Sequence, residues 1–159
     1  MKMMIFLYAL LAFAVPDVPA NLNPPSGEEA RMHAHASGDQ IYECDGSKWN
    51  LVGPDAKLTD DAGQPVGSHF KGPTWQWSDG SQVKGKPVAN ATPDADSIPW
   101  LLVTATDHTG DGVMRRITSI QRVQTKGGKA PAAECDASQK GAQTRSHYTA
   151  DYYFYAPKQ

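Results

Sequence analysis

Apolar and polar residues alternate in short runs along most of the chain after residue 38, and this period of two is typical of β-strands. Residues 40–44 and 48–52 flank a Gly-containing turn at residues 45–47, which predicts a hairpin. Further short apolar runs, each predicted to be a strand, lie at residues 56–59, 66–70, 74–77 and 81–84, and a loop is expected at residues 85–97. Turn residues between these strands recur about every 8 to 12 positions, a spacing expected of an antiparallel sandwich or barrel.

The second half of the chain predicts three longer strands. Residues 98–106 are apolar on both faces, which indicates a central strand with both sides covered. Residues 113–125 form a strand whose apolar positions change parity, so we expect a β-bulge near Thr118 and Ser119. Residues 146–155 end the domain as an aromatic-rich strand. The pattern therefore predicts an all-β fold, a single antiparallel sandwich or barrel of about eight strands.

The segment at residues 26–36 admits two interpretations. Ser26 followed three residues later by Glu29 forms a capping box, which indicates a short helix. A strand that runs through Gly38 into residues 40–44 would instead give one continuous edge. We favour strand or irregular backbone.

The first 15 residues have the pattern of the charged and apolar regions of a signal peptide. They hold one lysine followed by an apolar run shorter than the roughly 18–20 residues that cross a bilayer. Small residues allow cleavage after Ala14 or Ala20, and we favour Ala20; an uncleaved membrane anchor is the alternative. We expect a secreted, periplasmic or extracellular protein with no integral membrane segment after cleavage. The predicted organisation is a signal peptide at 1–20, an N-terminal segment at 21–37 and an all-β domain at 38–159.

The composition excludes some classes of function but does not identify one. The chain has 159 residues, with 15 Lys and Arg against 17 Asp and Glu, for a net charge of −2. A nucleic-acid binder would show a clustered basic surface, so we predict no nucleic-acid partner. The oligomeric state is not predicted. One group of basic residues is interpreted as a solvated face, with anionic-polymer binding as the alternative: Arg115, Arg116, Arg122, Lys126 and Lys129.

The two cysteines, Cys44 and Cys135, predict one disulfide. Export places them in an oxidising compartment, where pairing is the usual outcome. No CxxC motif suggests redox cycling or a zinc site. The bridge would tether the soft loop around Cys135 to the sheet.

Three histidines form a candidate metal site. On a strand, residues i and i+2 point to one face, so His33 and His35 could bind Zn or Cu together. His69 could supply a third ligand if its strand adjoins theirs. The alternative is that these histidines are merely solvated, and no cofactor is required by the sequence.

Trp75 and Trp77 lie on one face of a short predicted strand. If they are exposed, they form a flat platform on which the sugar rings of a surface polysaccharide could stack. If they are buried, they belong to the core. The platform is therefore a candidate binding site for a polymer, beside the more general possibility of a small ligand.

Catalytic motifs are scarce. The sequence contains no GxSxG elbow, so it predicts no hydrolase nucleophile of that type. Gly110 and Gly112 match half of a dinucleotide fingerprint, but Arg115 takes the place of the third glycine and a strand follows instead of a helix. We expect a protein that is not a nicotinamide-dependent dehydrogenase, and no catalytic residues are assigned.

Several motifs follow one another in order: GDQIYEC, VGSHFKGPTW, a DGS turn, IPWLL, IQRVQTKGG, the APAAEC segment and YTADYYFY. Together they resemble one secreted family of bacteria and fungi, domain of unknown function 3455, over about residues 33–155. Both cysteines fall within its pattern, which supports the bridge. The resemblance implies no established activity. Fungal members are often labelled malate dehydrogenase, a function against which the incomplete fingerprint argues.

These observations lead to one function hypothesis and one alternative. The chain is expected to be an exported, non-catalytic β domain that acts as an envelope or extracellular binding or structural module. The alternative is a Zn- or Cu-binding protein, or a metal-dependent enzyme, that uses His33, His35 and His69.

Overall fold

The computed structural model describes residues 14–159, so most of the predicted signal peptide lies outside the described residues. Eight strands make up the fold. Among the described residues, no helix is long and apolar enough to cross a membrane. The strands are β1 (Glu28–Cys44), β2 (Trp49–Thr59), β3 (Pro65–Phe70), β4 (Thr74–Trp77), β5 (Gln82–Ala91), β6 (Trp100–Thr109), β7 (Ser119–Gly127) and β8 (Gln143–Pro157).

The strands close into one antiparallel barrel. Each strand pairs with the next along the chain, and β8 pairs with β1 to close the sheet. The β1–β8 pairing extends from Glu28 opposite Pro157 to Glu43 opposite Gln143. The predicted all-β class is confirmed. Of the two predicted architectures, the structure shows the barrel, because the sheet closes on itself. Eight strands enclose a space just wide enough for side chains or for one small ligand.

Alternation along the strands sorts side chains between the inside and the outside. On β1, Ala34 and Ala36 face the core, so the residues between them face outward. On β8, Tyr152 and Phe154 are fully buried inside, whereas Tyr153 belongs to a smaller cluster on the outer face. The barrel interior is therefore rich in aromatic side chains.

Strand β1 is continuous from Glu28, so the helical alternative for residues 26–36 is wrong. Residues 28–37 belong to the barrel and not to a separate N-terminal segment. The reason is tertiary: β1 pairs along nearly its whole length with β8, and those backbone hydrogen bonds outweigh the capping box.

Strand lengths also differ from the prediction. The two runs at 48–52 and 56–59 are one strand, β2, which bends at Gly53. Gly53 has a φ of 152° and lies opposite the register shift at Ile41 and Tyr42. Strand β5 continues to Ala91, through much of the expected loop.

The segment 113–125 is not one strand. Val113–Arg116 forms a turn of 3₁₀ helix, and β7 begins only at Ser119. The apolar spacing is not that of a strand because Met114 and Ile117 enter the core from this turn and its C-cap. The irregularity in β7 lies further on, at Gln124, which has a φ of 51°.

The disulfide between Cys44 and Cys135 is confirmed, with a Cα–Cα distance of 6.2 Å. It joins the end of β1 to the connection between β7 and β8. Backbone hydrogen bonds of 2.9 Å from Cys44 to Ala142 and from Gly141 to Cys44 hold the same region.

The stretch before β1 packs on the outside of the barrel. Val18 contacts the outer cluster formed by Val123, Tyr153 and Tyr155. Leu22 is completely buried, and its carbonyl accepts a 2.7 Å hydrogen bond from the Gln121 side chain.

Candidate functional site

A cavity of about 140 Å³ lies inside the barrel, and we call it the lumen cavity. Each of the eight strands contributes at least one side chain to its wall. Leucine, valine and proline residues make up much of the lining. The polar atoms come from five side chains: Gln40, His69, Trp75, Arg122 and Tyr152.

His69 is a deeply buried titratable group of the lumen cavity, with 3% of its surface exposed. Its Nδ1 lies 2.8 Å from the Thr74 carbonyl oxygen, which can only accept, so Nδ1 carries the proton and Nε2 is an acceptor. Burial lowers the pKa of His69 to about 3, and the charge of Arg122 acts in the same direction. His69 is therefore neutral, and it stacks on Trp75 with ring centroids 4.3 Å apart.

Arg122 supplies the positive charge of the lumen cavity. It lies on β7 between Leu101 and Tyr152 of the neighbouring strands. Its Nε and Nη2 donate to the Pro99 carbonyl at 3.0 and 2.8 Å, which fixes the guanidinium plane. No Asp or Glu lines the cavity, and Arg122 has no ion pair among residues 14–159. The sequence placed Arg122 on a solvated face; the pairing of β7 between β6 and β8 turns it inward instead.

Two buried polar atoms in the cavity wall lack partners. Gln40 Oε1 and Trp75 Nε1 make no hydrogen bond within the described part of the chain. A buried polar atom without a partner costs about 1–3 kcal/mol. A ligand that donates to Gln40 and accepts from Trp75 would recover this cost.

Two tyrosines of the barrel core, Tyr152 in the cavity wall and Tyr148 next to it, are neutral donors. The hydroxyls of Tyr148 and Tyr152 lie 3.4 Å apart. Burial raises the pKa of both groups, although Arg122 opposes the shift at Tyr152. Neither phenol ionises near neutral pH.

The two tryptophans do not form the exposed platform that the sequence allowed. Trp75 is only 2% exposed and lines the lumen cavity. Trp77 is half-buried and packs edge-on against Phe154 at 6.0 Å. They share a face as predicted, but closure of the sheet makes that face the inside of the barrel.

His33 and His35 lie together on the outer face of β1. His35 is bridged by two carboxylates: its Nδ1 lies 2.6 Å from Asp151 Oδ1, and its Nε2 lies 2.7 Å from Asp61 Oδ1. His33 lies 3.5 Å from the same Asp61 oxygen and 3.6 Å from the same Asp151 oxygen. It also stacks on Tyr153, with ring centroids 4.5 Å apart.

His69 does not join this pair. It lies opposite Ala56 of β2, whose side chain belongs to the core, so it points into the barrel while His33 and His35 point away from it. The expected trio of histidine ligands is therefore wrong, and Asp61 takes the third position. One ligand atom from each of His33, His35 and Asp61 lies within 4.8 Å of the others. This outer cluster can hold either a proton on His35 or a metal ion.

Protonation of His35 is favoured by its neighbours. Burial opposes the imidazolium, but hydrogen bonds to Asp61 and Asp151 outweigh that effect and raise the pKa of His35. The Nε2 atom of His33 is buried and makes no hydrogen bond among the described residues. The other ring nitrogen, Nδ1, is the one that lies beside Asp61.

A family model described as protein of unknown function (DUF3455) matches residues 25–156. The chain belongs to the DUF3455 family. The match spans β1 to β8 except for Pro157, the last residue of β8, and includes both cysteines. No curated protein and no solved structure matches the chain.

Because the DUF3455 family carries no assigned chemistry, the site has to be interpreted from its geometry. Sequence reasoning missed Gln40, Asp61 and Asp151, and it assigned Arg122 to the surface. For the residues on strands, the only local signal is the alternation of side chains between the two faces. This alternation places Gln40 on the same face as Ala34, but it does not show that this face is the inside of a closed barrel. Asp61 lies in a turn, and only the pairing of β1 with both β2 and β8 brings the two acids to the histidines.

Proposed function

We propose that this DUF3455 chain is an exported, non-catalytic binding protein whose barrel holds one small ligand in the lumen cavity. The observation that carries the proposal is the pair of unpartnered buried atoms, Gln40 Oε1 and Trp75 Nε1, in a cavity to which every strand contributes. Buried polar groups are normally satisfied, so these two atoms suit a molecule that is bound there.

The volume limits the ligand to a small molecule. An enclosed space of about 150 Å³ holds one benzene molecule. The lumen cavity, at about 140 Å³, therefore suits a compound of roughly six to ten non-hydrogen atoms.

The ionisation of the lumen groups supports binding over acid–base catalysis. A general base works best with a pKa near the operating pH. The pKa of His69 is lowered to about 3 by burial, and the phenol of Tyr152 stays protonated. These groups present fixed donors and acceptors and do not exchange protons readily.

Export is supported by the disulfide and by the sequence before the described residues. A bridge between Cys44 and Cys135 persists in oxidising compartments outside the cytosol. The apolar run in residues 1–15 has the length of a signal peptide core.

The test is a screen of fragments with six to ten non-hydrogen atoms by protein-observed NMR. Leu101→Trp places an indole on a half-buried residue of the lumen cavity wall, and Val88→Trp places the same side chain on a valine that is 51% exposed. Binders should shift lumen resonances in the wild type and in Val88→Trp, and should be lost in Leu101→Trp. A wild type that binds no fragment at millimolar concentration, or binding that survives in Leu101→Trp, contradicts the proposal.

A second candidate function is Zn or Cu binding at the outer cluster. The grouping of ligand atoms from His33, His35 and Asp61 within 4.8 Å of one another favours it, and Asp151 lies beside them. Zinc takes imidazole and carboxylate ligands in this combination. The chain would then be a metal carrier or a metal-dependent enzyme.

Calorimetric titration of metal-free protein with Zn²⁺ and with Cu²⁺ tests this candidate. We expect stoichiometric binding that His35→Ala abolishes. His147→Ala, at a histidine whose side chain is 66% exposed, serves as the matched control. Absence of binding in the wild type, or full binding in His35→Ala, excludes the outer cluster as a metal site.

A further inference from the structure

The lumen cavity contains a positive charge without a negative one. Arg122 is half-buried, and the cavity wall includes no carboxylate. Charged groups inside proteins are normally paired, because leaving water is costly for an ion. Two N–H groups of Arg122 are used by the Pro99 carbonyl, the Tyr152 phenol lies within reach of the guanidinium, and no carboxylate pairs with it among the described residues. An anion is therefore the partner that this guanidinium lacks.

The Pro99 contacts also define the shape of that anion. With Nε and Nη2 donating to one oxygen, the guanidinium plane is held and Nη1 stays free. A carboxylate matches the planar fork of an arginine, and the pair is stronger than a neutral hydrogen bond. Phosphate and sulfate are bulkier and leave little room for a second group in about 140 Å³.

The remaining polar atoms call for a group that both donates and accepts. Gln40 offers an acceptor, Oε1, and a donor, Nε2, while His69 Nε2 is an acceptor and Trp75 Nε1 is a donor. One hydroxyl on the ligand can donate to one of the acceptors and accept from the indole. The aromatic faces of Trp75 and Tyr152 supply the apolar contact between the two polar ends.

We infer that the lumen cavity binds a small hydroxy-substituted monocarboxylate, with Arg122 holding the carboxylate and with Gln40, His69 and Trp75 around the hydroxyl. This inference rests on the proposed binding function and specifies the chemical class of the ligand.

Calorimetry with two matched series of probes tests the inference. One series is lactate, propionate and lactamide; the other is 4-hydroxybenzoate, benzoate and 4-hydroxybenzamide. Each amide is the neutral counterpart of its hydroxy acid, and each simple acid lacks the hydroxyl. In at least one series, we expect the hydroxy acid to bind at least tenfold more tightly than either counterpart.

Variants of the protein test which side chain binds the carboxylate and which binds the hydroxyl. Arg122→Met should weaken the hydroxy acid at least tenfold and leave the amide unchanged, whereas Arg115→Met, at a surface arginine paired with Asp111, should change neither. Gln40→Leu should reduce the advantage of the hydroxy acid over the simple acid. The comparison of acid with amide on the wild-type protein stays decisive if Arg122→Met does not fold.

The outcomes separate this inference from the proposed function. If neutral fragments bind the lumen cavity as tightly as carboxylates, or if Arg122→Met keeps the affinity for the hydroxy acid, the carboxylate assignment is wrong and the binding function stands. Equal affinity for hydroxy and simple acids overturns the hydroxyl assignment. If no probe and no fragment binds, both proposals fail.

Discussion

Acid should destabilise the barrel through His69. The folded protein keeps this imidazole neutral, since burial lowers the pKa of His69 from its ordinary value of 6.5 to about 3. The unfolded chain takes up a proton below about pH 6.5, and the folded chain does so only near pH 3. Stability from the neutral ring is therefore complete above pH 6.5 and is lost as the pH falls toward 3.

The magnitude follows from the two pKa values. Between them, the unfolded state binds one more proton, so the free energy of unfolding falls by about 1.4 kcal/mol per pH unit. From pH 7 to pH 4 the contribution of His69 amounts to about 3 kcal/mol. This is a large part of the stability of an ordinary domain.

His69→Asn removes the titration and keeps a donor in place. The Asn amide nitrogen occupies the position of Nδ1 and can still donate to the Thr74 carbonyl. Urea unfolding followed by tryptophan fluorescence at pH 7, 6, 5 and 4 gives the free energy of unfolding of both proteins. We expect the stability of the wild type to fall by about 3 kcal/mol more than that of His69→Asn between pH 7 and 4.

Val103→Ala is the control, since it opens space in the same cavity without removing a titrating group. Its loss of stability relative to the wild type should be the same at every pH. If the profiles of His69→Asn and the wild type are also parallel, the neutral, buried state of His69 is refuted.

Three further predictions concern the framework of the barrel. Cys44→Ala/Cys135→Ala should lower the free energy of unfolding by up to about 4–5 kcal/mol, because the bridge closes a long loop; a double variant as stable as the oxidised wild type in urea contradicts this. Gly38→Ala places a Cβ against the backbone of β2 and should cost about 1–3 kcal/mol, and an unchanged melting temperature argues against that close packing. Phe154→Ala removes a fully buried ring and should cost about 3–5 kcal/mol, whereas Val113→Ala, at a valine that is 47% exposed, should stay within about 0.5 kcal/mol in the same thermal melts.

The predicted strands are mostly correct where turns and alternation are both strong, as in the hairpin of β1 and β2. The prediction fails at residues 113–125, where a 3₁₀ turn produces an apolar spacing that resembles a bulged strand. It also splits β2 at Gly53 and Pro54, because these residues usually end strands and here only bend one.

The candidate site was predictable in part. Strand parity correctly pairs His33 with His35 and Trp75 with Trp77. Parity cannot say which face is inside when both faces carry large apolar side chains, as β8 does with Tyr152 inside and Tyr153 outside. The metal role of His69 is wrong for this reason, and of the two alternatives for Trp75 the structure shows the core and not the exposed platform.

By itself, the sequence determined the all-β class, the approximate number of strands, the disulfide and the family, because these depend on local periodicity, turn residues and the presence of two cysteines. Closure of the sheet was decided only by the tertiary structure. The pairing of β8 with β1 is a contact between the two ends of the barrel segment, and it carries no local signal. That contact encloses Gln40, His69 and Arg122 in one cavity and brings Asp151 to His35, so the candidate sites exist only once the barrel is closed.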